Sequence, residues 1–377
     1  MNIAAMQYDV ITLDTNVFDR NGRDLEGGLL AQLKQFKNGS AQFVLSEIIL
    51  REVHRHITEK TKNTKDELDK VARKVAELGL LAHDASEQLL ELANSASAPE
   101  DAAKERIAKF IADTGAEIIP ADTTDIKALV RNYFKSEPPF EAAGKKKNEF
   151  PDAIALLSLE AWAQSNKKRV LAISHDGGWE DFAENSEWLD FDDDLPSALS
   201  KFQEHAEVVL RFVSKLVGDI DSGVLPGLLD EITSSIGYQV SDAYVYPEAS
   251  ADYYYEPDET ELTFEKLSFV RIGKGFDIDI VQIGKDRIAA RVGLEISANA
   301  VTSFSFATKD WVDKDYVRIG GCTADTDIEF EAAMLITIEG DFYAEDEPGF
   351  EITEVELIEM IDRVDFGEVG PDFGEGY

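Results

Sequence analysis

The chain is predicted to fold as an α/β domain, a short parallel sheet covered by helices, followed by a mainly antiparallel β domain. Three observations predict this. Through the first 200 residues, short apolar β-branched runs alternate with stretches of helical periodicity, which places parallel strands between covering helices. From Tyr238 onward the pattern changes to short runs rich in Val, Ile, Phe, Tyr and Thr that alternate in and out. The charge shifts as well: residues 1–200 carry 24 Lys and Arg against 36 Asp and Glu, and residues 201–377 carry 13 against 39. The expected organisation is an α/β domain over 1–194 with a helical insertion at about 57–112, a helical connector over 195–235, and an acidic β-rich domain over 236–377.

Taken in order, residues 8–13 read as a first strand ending in Asp14. Asp24 is placed to cap a helix over 25–37, in which Leu25, Leu29, Leu30, Leu33 and Phe36 share a face and Asn38-Gly39 ends it. Residues 42–45 read as a second strand, and Ser46 as the cap of a charged helical region that runs to about 112, with breaks near Gly79 and over 94–99. Residues 116–119 are a third strand. Helices follow over about 122–135 and 151–165, the second with Pro151 in the first turn, where its missing N–H costs nothing. Residues 169–174 are a fourth strand, running into His175-Asp176-Gly177-Gly178. Gly218 and Gly223 divide the helical stretch 195–235. Strands are expected at 261–272, 276–283, 287–296, 301–307, 328–338 and 350–358, with Ile283-Gly284-Lys285-Asp286 as a hairpin turn and a tail from Phe366 that frays.

Composition excludes several classes. The single cysteine, Cys322, rules out a disulfide framework and a Cys-built zinc site. No apolar run approaches the roughly 18 residues that span a bilayer, and residues 1–14 lack the pattern of a signal peptide. A cytoplasmic protein with no membrane partner is expected. The net charge of −38 weighs against extended polyanion binding by the second half. That half is expected to take a protein partner or a second copy of itself. Tyr253-Tyr254-Tyr255 offers rings for base stacking, but Asp252, Glu256, Asp258 and Glu259 beside it favour an exposed loop or a protein-contact patch.

The chemistry is expected from acids at particular positions. Asp14 ends the first strand, Glu52 lies on the helix after the second, Asp152 opens a helix after Lys145-Lys146-Lys147, and Asp176 follows the fourth strand. Ligands of an open parallel sheet gather at the carboxyl ends of its strands. Four carboxylates converging there repel one another unless a cation neutralises them. All-oxygen donors suit Mg²⁺ or Mn²⁺, and such a site activates water against a phosphodiester. Each acid also has a plain structural reading: a turn cap at Asp14 and Asp176, a solvated helix residue at Glu52, a favourable first-turn charge at Asp152. Glu47 and Asp181 are the alternatives to Glu52 and Asp176. Lys145, Lys146, Lys147 and Arg51 are expected phosphate contacts at the rim, against the reading of the lysine run as a solvated loop. His54, His56 and His175 lack partners at zinc-site spacing.

Leu13-Asp14-Thr15-Asn16-Val17-Phe18 resembles the opening motif of PIN domains, a strand ending in Asp-Thr-Asn. Ile48-Ile49-Leu50-Arg51-Glu52-Val53 resembles their second motif, Asn148-Glu149-Phe150-Pro151-Asp152-Ala153-Ile154 their third, and Ala172-Ile173-Ser174-His175-Asp176 their fourth. The resemblance covers about residues 8–192. It implies a PIN-like fold and a Mg²⁺- or Mn²⁺-dependent nuclease, acting on RNA in preference to DNA. Asp14, Glu52, Asp152 and Asp176 would be the catalytic and metal-holding acids, with Asn16 and Ser174 in support. By analogy it also suggests a toxin or phage-defence setting. The long helical stretch between Glu52 and Asp152 departs from compact members and reads as a lid or enlarged substrate wall. Two other functions remain open. One is a haloacid-dehalogenase-like phosphohydrolase, which needs an acid where Asn16 stands. The other is a non-enzymatic acidic protein-interaction module on a PIN scaffold.

Overall fold

A computed structural model describes residues 8–140, 149–203, 206–309, 315–340, 342 and 349–372. The chain divides into two compact units, Met1–Phe202 and Gln203–Tyr377.

The first unit runs β1 (Val10–Leu13), α1 (Thr15–Arg20), α2 (Gly28–Ala31), β2 (Gln42–Ser46), α3 (Glu47–Glu77), α4 (His83–Ser95), α5 (Pro99–Thr114), β3 (Glu117–Ile119), α6 (Ile126–Lys135), α7 (Phe150–Asn166), β4 (Val170–Ile173), α8 (Gly177–Glu184), β5 (Leu189–Asp192) and α9 (Leu195–Ser200). Its five strands pair in parallel in the order β3-β2-β1-β4-β5. Parallel strands covered on both faces read as continuous apolar runs, and β1 and β4 are buried at every position. The strand order reverses between β1 and β4. The crevice beyond the carboxyl ends of such a pair is where this architecture binds ligands.

The expected α/β fold is present, with local differences. The helix expected over 25–37 is shorter. Gly28 has φ +55, which blocks helix before it, and the Asp24 carboxylate accepts from the N–H groups of Glu26 and Gly27 instead. A 3-10 helix over Gln32–Asn38 follows α2. The fifth strand was not expected. Its residues Leu-Asp-Phe-Asp put acids on a short sheet edge, where little apolar signal is required. The helical insertion is α3 to α5, and α3 is 31 residues long. It stops near Gly79, whose φ of +61 is left-handed.

The second unit runs α10 (Ala206–Asp221), α11 (Pro226–Ser241), β6 (Tyr246–Ser250), β7 (Tyr254–Pro257), β8 (Glu261–Phe269), β9 (Arg271–Ile272), β10 (Gly275–Phe276), β11 (Ile278–Ile283), β12 (Arg287–Lys309), β13 (Tyr316–Gly340), β14 (Phe350–Glu359) and β15 (Arg363–Glu368). The long strands β12 and β13 pair antiparallel over most of their length. The other edge of β12 is met in turn by β11, β8 and β7, and β14 flanks β13. Ile288, Ala290, Val292, Leu294, Ile296, Ala298 and Ala300, two apart, face one core. Val213, Leu216, Val217, Ile220, Ile232, Ile236 and Val240 of α10 and α11 pack into that same core. The stretch expected as a connector is therefore divided: α9 belongs to the first unit, and α10 and α11 cover the sheet of the second. Their apolar stripes need a surface to bury, which a free connector lacks. Two expectations near the chain's aromatic and C-terminal segments change as well. Tyr254 and Tyr255 lie on a strand, and the strand Arg363–Glu368, parallel to β6, takes in Phe366 to Glu368, the start of the tail expected to fray.

Candidate active site

Asp14 sits at the turn between β1 and α1, at the reversal point of the sheet. Its Oδ1 accepts from the Thr15 N–H at 2.6 Å, capping α1, and its Oδ2 accepts from the Ser174 hydroxyl at 2.7 Å. Ser174 directly follows β4 and is fully buried. Its oxygen accepts from the Asn16 amide at 3.1 Å and from the Asp176 N–H at 2.9 Å, and the Asn16 carbonyl accepts from the His175 N–H at 3.2 Å. These bonds tie the two central strand ends together through Asn16 and Ser174. Asp176 caps α8 by accepting from the Gly178 N–H at 2.6 Å. Glu52 comes from the second turn of α3, where its Oε2 accepts from the Thr15 hydroxyl at 2.9 Å. Asp152 lies in the first turn of α7.

The electrostatics link the four acids. Burial pushes the Asp14 carboxyl up to about 6; the bonds from Ser174 and Thr15 oppose this, and Asp176 and Glu52 add to it. Burial also pushes Asp152 up to about 7, reinforced by Asp14, Glu52, Glu149 and Asp176. Asp152 thus feels all three other members of the set, and Asp14 feels Asp176 and Glu52. Like charges in a desolvated place hold protons that a cation would displace. Among the described residues, no three His, Cys, Asp or Glu side chains already stand together in position to hold one ion. Asp14, Asp176 and Glu52 are instead occupied by N–H and hydroxyl donors.

A cleft of about 610 Å³ opens beside this group rather than over it, lined by Arg20, His175, Glu180, Phe191, Asp192 and Lys201 among others. It adjoins the acids through His175 and Gly177, the chain neighbours of Asp176. Burial, with Arg20 nearby, lowers the His175 pKa.

Sequence reasoning placed Asp14, Glu52, Asp152, Asp176, Asn16 and Ser174, and the structure brings these six into one neighbourhood. Glu47, the alternative to Glu52, accepts from the Ala121 N–H at 3.1 Å and pairs with Arg51 at 2.5 Å. Arg51 is exposed and held at Glu47. Asp181, the alternative to Asp176, is exposed on α8. Lys145, Lys146 and Lys147 lie outside the described residues. Sequence reasoning missed Thr15, the buried bridge from the Asp14 turn to Glu52, although it is the middle residue of the Asp-Thr-Asn motif. It also missed Arg20 and Lys201, which carry no local signal.

A parallel sheet with acids at its central strand ends defines the class: an α/β domain with carboxylates gathered where such a sheet meets its ligands. Residues 11–179, within the first unit, match the family model of the PIN domain, a family of nuclease-type function. Comparison with curated proteins finds no match, and comparison with solved structures finds none. The second unit is covered by no family model found. Among the described residues, no helix is long and apolar enough to cross a membrane.

Proposed function

We propose that the first unit is a divalent-metal-dependent endonuclease that hydrolyses phosphodiester bonds, with RNA preferred over DNA. The observation that carries this reading is the burial of Asp14 among Asp152, Glu52 and Asp176, with Asp14 and Asp152 shifted toward the protonated form. The donor set is all carboxylate oxygen with hydroxyls behind it, which fits Mg²⁺ or Mn²⁺ and not a soft metal. Asp14, Glu52, Asp152 and Asp176 would hold the ion. When bound, it supplies a water of lowered pKa and neutralises charge on the phosphodiester. Ser174 and Asn16 fix the orientation of Asp14, and Thr15 fixes that of Glu52. Lys145, Lys146, Lys147 and Arg51 would meet the phosphates at the rim. The RNA preference rests on the resemblance of the four motifs to PIN domains, and a toxin or phage-defence setting on analogy alone.

For the second unit we propose a protein partner or a second copy. Its surface offers a cavity of about 440 Å³ with the Tyr254 and Tyr316 rings 4.8 Å apart, in a half of the chain too acidic to attract phosphates. A phosphohydrolase of the haloacid-dehalogenase kind is disfavoured by Asn16, whose amide is used between Ser174 and His175. A non-enzymatic interaction module remains the competing reading.

The deciding assay incubates the full chain with labelled RNA and DNA in Mn²⁺, Mg²⁺ or EDTA. Internal cleavage with either ion and none in EDTA is the expected result. Ion-independent cleavage, or none at all, defeats the proposal.

A further inference from the structure

Helix α6 is an outlier in this acidic chain. From Ile126 to Lys135 it carries Lys127, Arg131 and Lys135, four apart, and no acid, in a chain of 75 acids and 37 bases. All three cations are exposed. Beside them runs a second stripe, Ile126, Val130 and Phe134, exposed at 62%, 48% and 79%. Ala128, Leu129 and Asn132 are the buried face, so both stripes look outward. The helix is not remote from the acids. The Phe134 ring lies 5.3 Å from that of Tyr133, Tyr133 lies 5.0 Å from Phe150, and Phe150 begins the helix that carries Asp152 two residues later.

We propose that the outer face of α6 is an anchoring site for a single-stranded segment of nucleic acid on the Asp152 side of the acid group. Phe134 stacks an unpaired base, and Lys127, Arg131 and Lys135 follow the phosphates. This rests on the proposed nuclease reading for its biological sense, but it is a separate binding surface. An exposed ring next to a row of cations at one-turn spacing is what a strand needs: a π-face for each splayed base and charge along the backbone. A duplex keeps its bases stacked and cannot use the ring. Arg131 and Lys135 both lean on Glu137, at 3.7 and 3.3 Å. Ion pairs this exposed are weak enough for a phosphate to replace.

The test is fluorescence anisotropy of the full chain in EDTA with a labelled single-stranded RNA of about 20 nucleotides, the DNA of the same sequence, the RNA duplex, and an RNA lacking bases at its centre. Phe134→Ala should weaken intact single strands about tenfold and leave the affinity for the base-free strand unchanged. Charge reversal at Lys127 and Arg131 should weaken every strand and flatten the salt dependence. Glu137→Gln should tighten binding, an outcome that damage to the helix would not give. Equal affinity for RNA and DNA assigns the surface to stacking and charge; an RNA-only effect adds contacts to the ribose. The proposal is overturned if the wild type binds and these variants bind as it does. It is equally overturned if no strand binds and Phe134→Ala instead alters the sedimentation of the protein, which would make the stripe a protein interface. Binding that depends on Phe134 without any cleavage in Mn²⁺ would sink the nuclease reading and leave this surface standing.

Discussion

The two units carry their acids in opposite ways. Residues 201–377 hold 39 acids, and β13 sets Asp325, Asp327, Glu329 and Glu331 at alternate exposed positions, where each side chain faces water. The first unit holds fewer, yet the one carboxylate buried among the described residues is there: Asp14, 5% exposed, with half-buried Glu52, Asp152 and Asp176 around it. Charge density therefore says little about chemistry. Desolvation does, because a carboxylate withdrawn from water beside others costs energy that only a function or a partner explains.

The sharpest way to break this contrast is substitution on each side of it. Asp14→Asn or Asp152→Asn should reduce cleavage to the background of the assay. Replacing Asp325, Asp327, Glu329 and Glu331 together by their amides should leave the cleavage rate unchanged. Quenched-flow or gel measurement with Mn²⁺ reads both. Loss of activity in the β13 quartet, or its survival in Asp14→Asn, would reverse the assignment of function to burial. One level weaker, Ser174→Ala removes the hydroxyl that orients Asp14. It should cost about 10- to 100-fold in kcat, the usual price of a lost outer-sphere bond. Ser174→Thr, which keeps the hydroxyl, should recover part of that loss.

The pH dependence of stability tests the same desolvation without any substrate. The Asp14 pKa is about 6 in the folded chain and near 3.9 when unfolded, so the folded state keeps a proton that the unfolded state has released. Stability in EDTA should therefore fall as pH rises from about 4 to about 6, and stay lowered above that, by up to about 3 kcal/mol. Asp152, with a folded value of about 7, extends the fall toward neutral pH. Asp14→Asn abolishes its share. In EDTA the variant should thus be no less stable than the wild type near pH 8, and lose that advantage near pH 4.5. Urea midpoints at the two pH values give the comparison directly. A wild type whose stability relative to the variant stays level would show that Asp14 is well solvated, and one that gains would show its ionised form held by its hydrogen-bond donors.

Much of this contrast was legible in the sequence, because both units announce themselves through local pattern. The first and fourth strands are wholly buried, so their runs are continuous. Asp14 is placed by being the next residue after the first, and Asp176 by being the first acid after the fourth. The long alternation through Ile288 to Ala300 made the second unit legible as β. What stayed hidden is what depends on distant partners. The strand Leu189–Asp192 exists because β4 is there to pair with it. The packing of α10 and α11 depends on a sheet that lies later in the chain. The cleft lined by Arg20 and Lys201 joins residues about 180 apart in sequence, and no spacing rule reaches so far.

The smallest expected effect concerns the choice between Glu47 and Glu52, five residues apart on one helix. Both are acids near the start of α3, and the sequence left either free to serve the site. Their bonds differ. Glu52 meets the hydroxyl of Thr15, next to Asp14, whereas Glu47 accepts the Ala121 N–H and pairs with Arg51. Those same two contacts, Ala121 first, hold the Glu47 carboxyl below the usual carboxylate range. A lowered pKa stabilises the fold above the unfolded value and fades as pH falls through the folded one, so Glu47 acts as a tie between α3 and the turn after β3. Glu47→Gln keeps an oxygen for Ala121 and gives up the charge. It should leave kcat within about twofold, as exposed pairs contribute little, and any loss of melting temperature should vanish at acid pH. Because Arg51 is released by the change, KM should fall if Arg51 meets phosphate at the rim, and stay constant if it does not. A drop in kcat of more than about tenfold, with KM unmoved, would make Glu47 and not Glu52 the fourth acid.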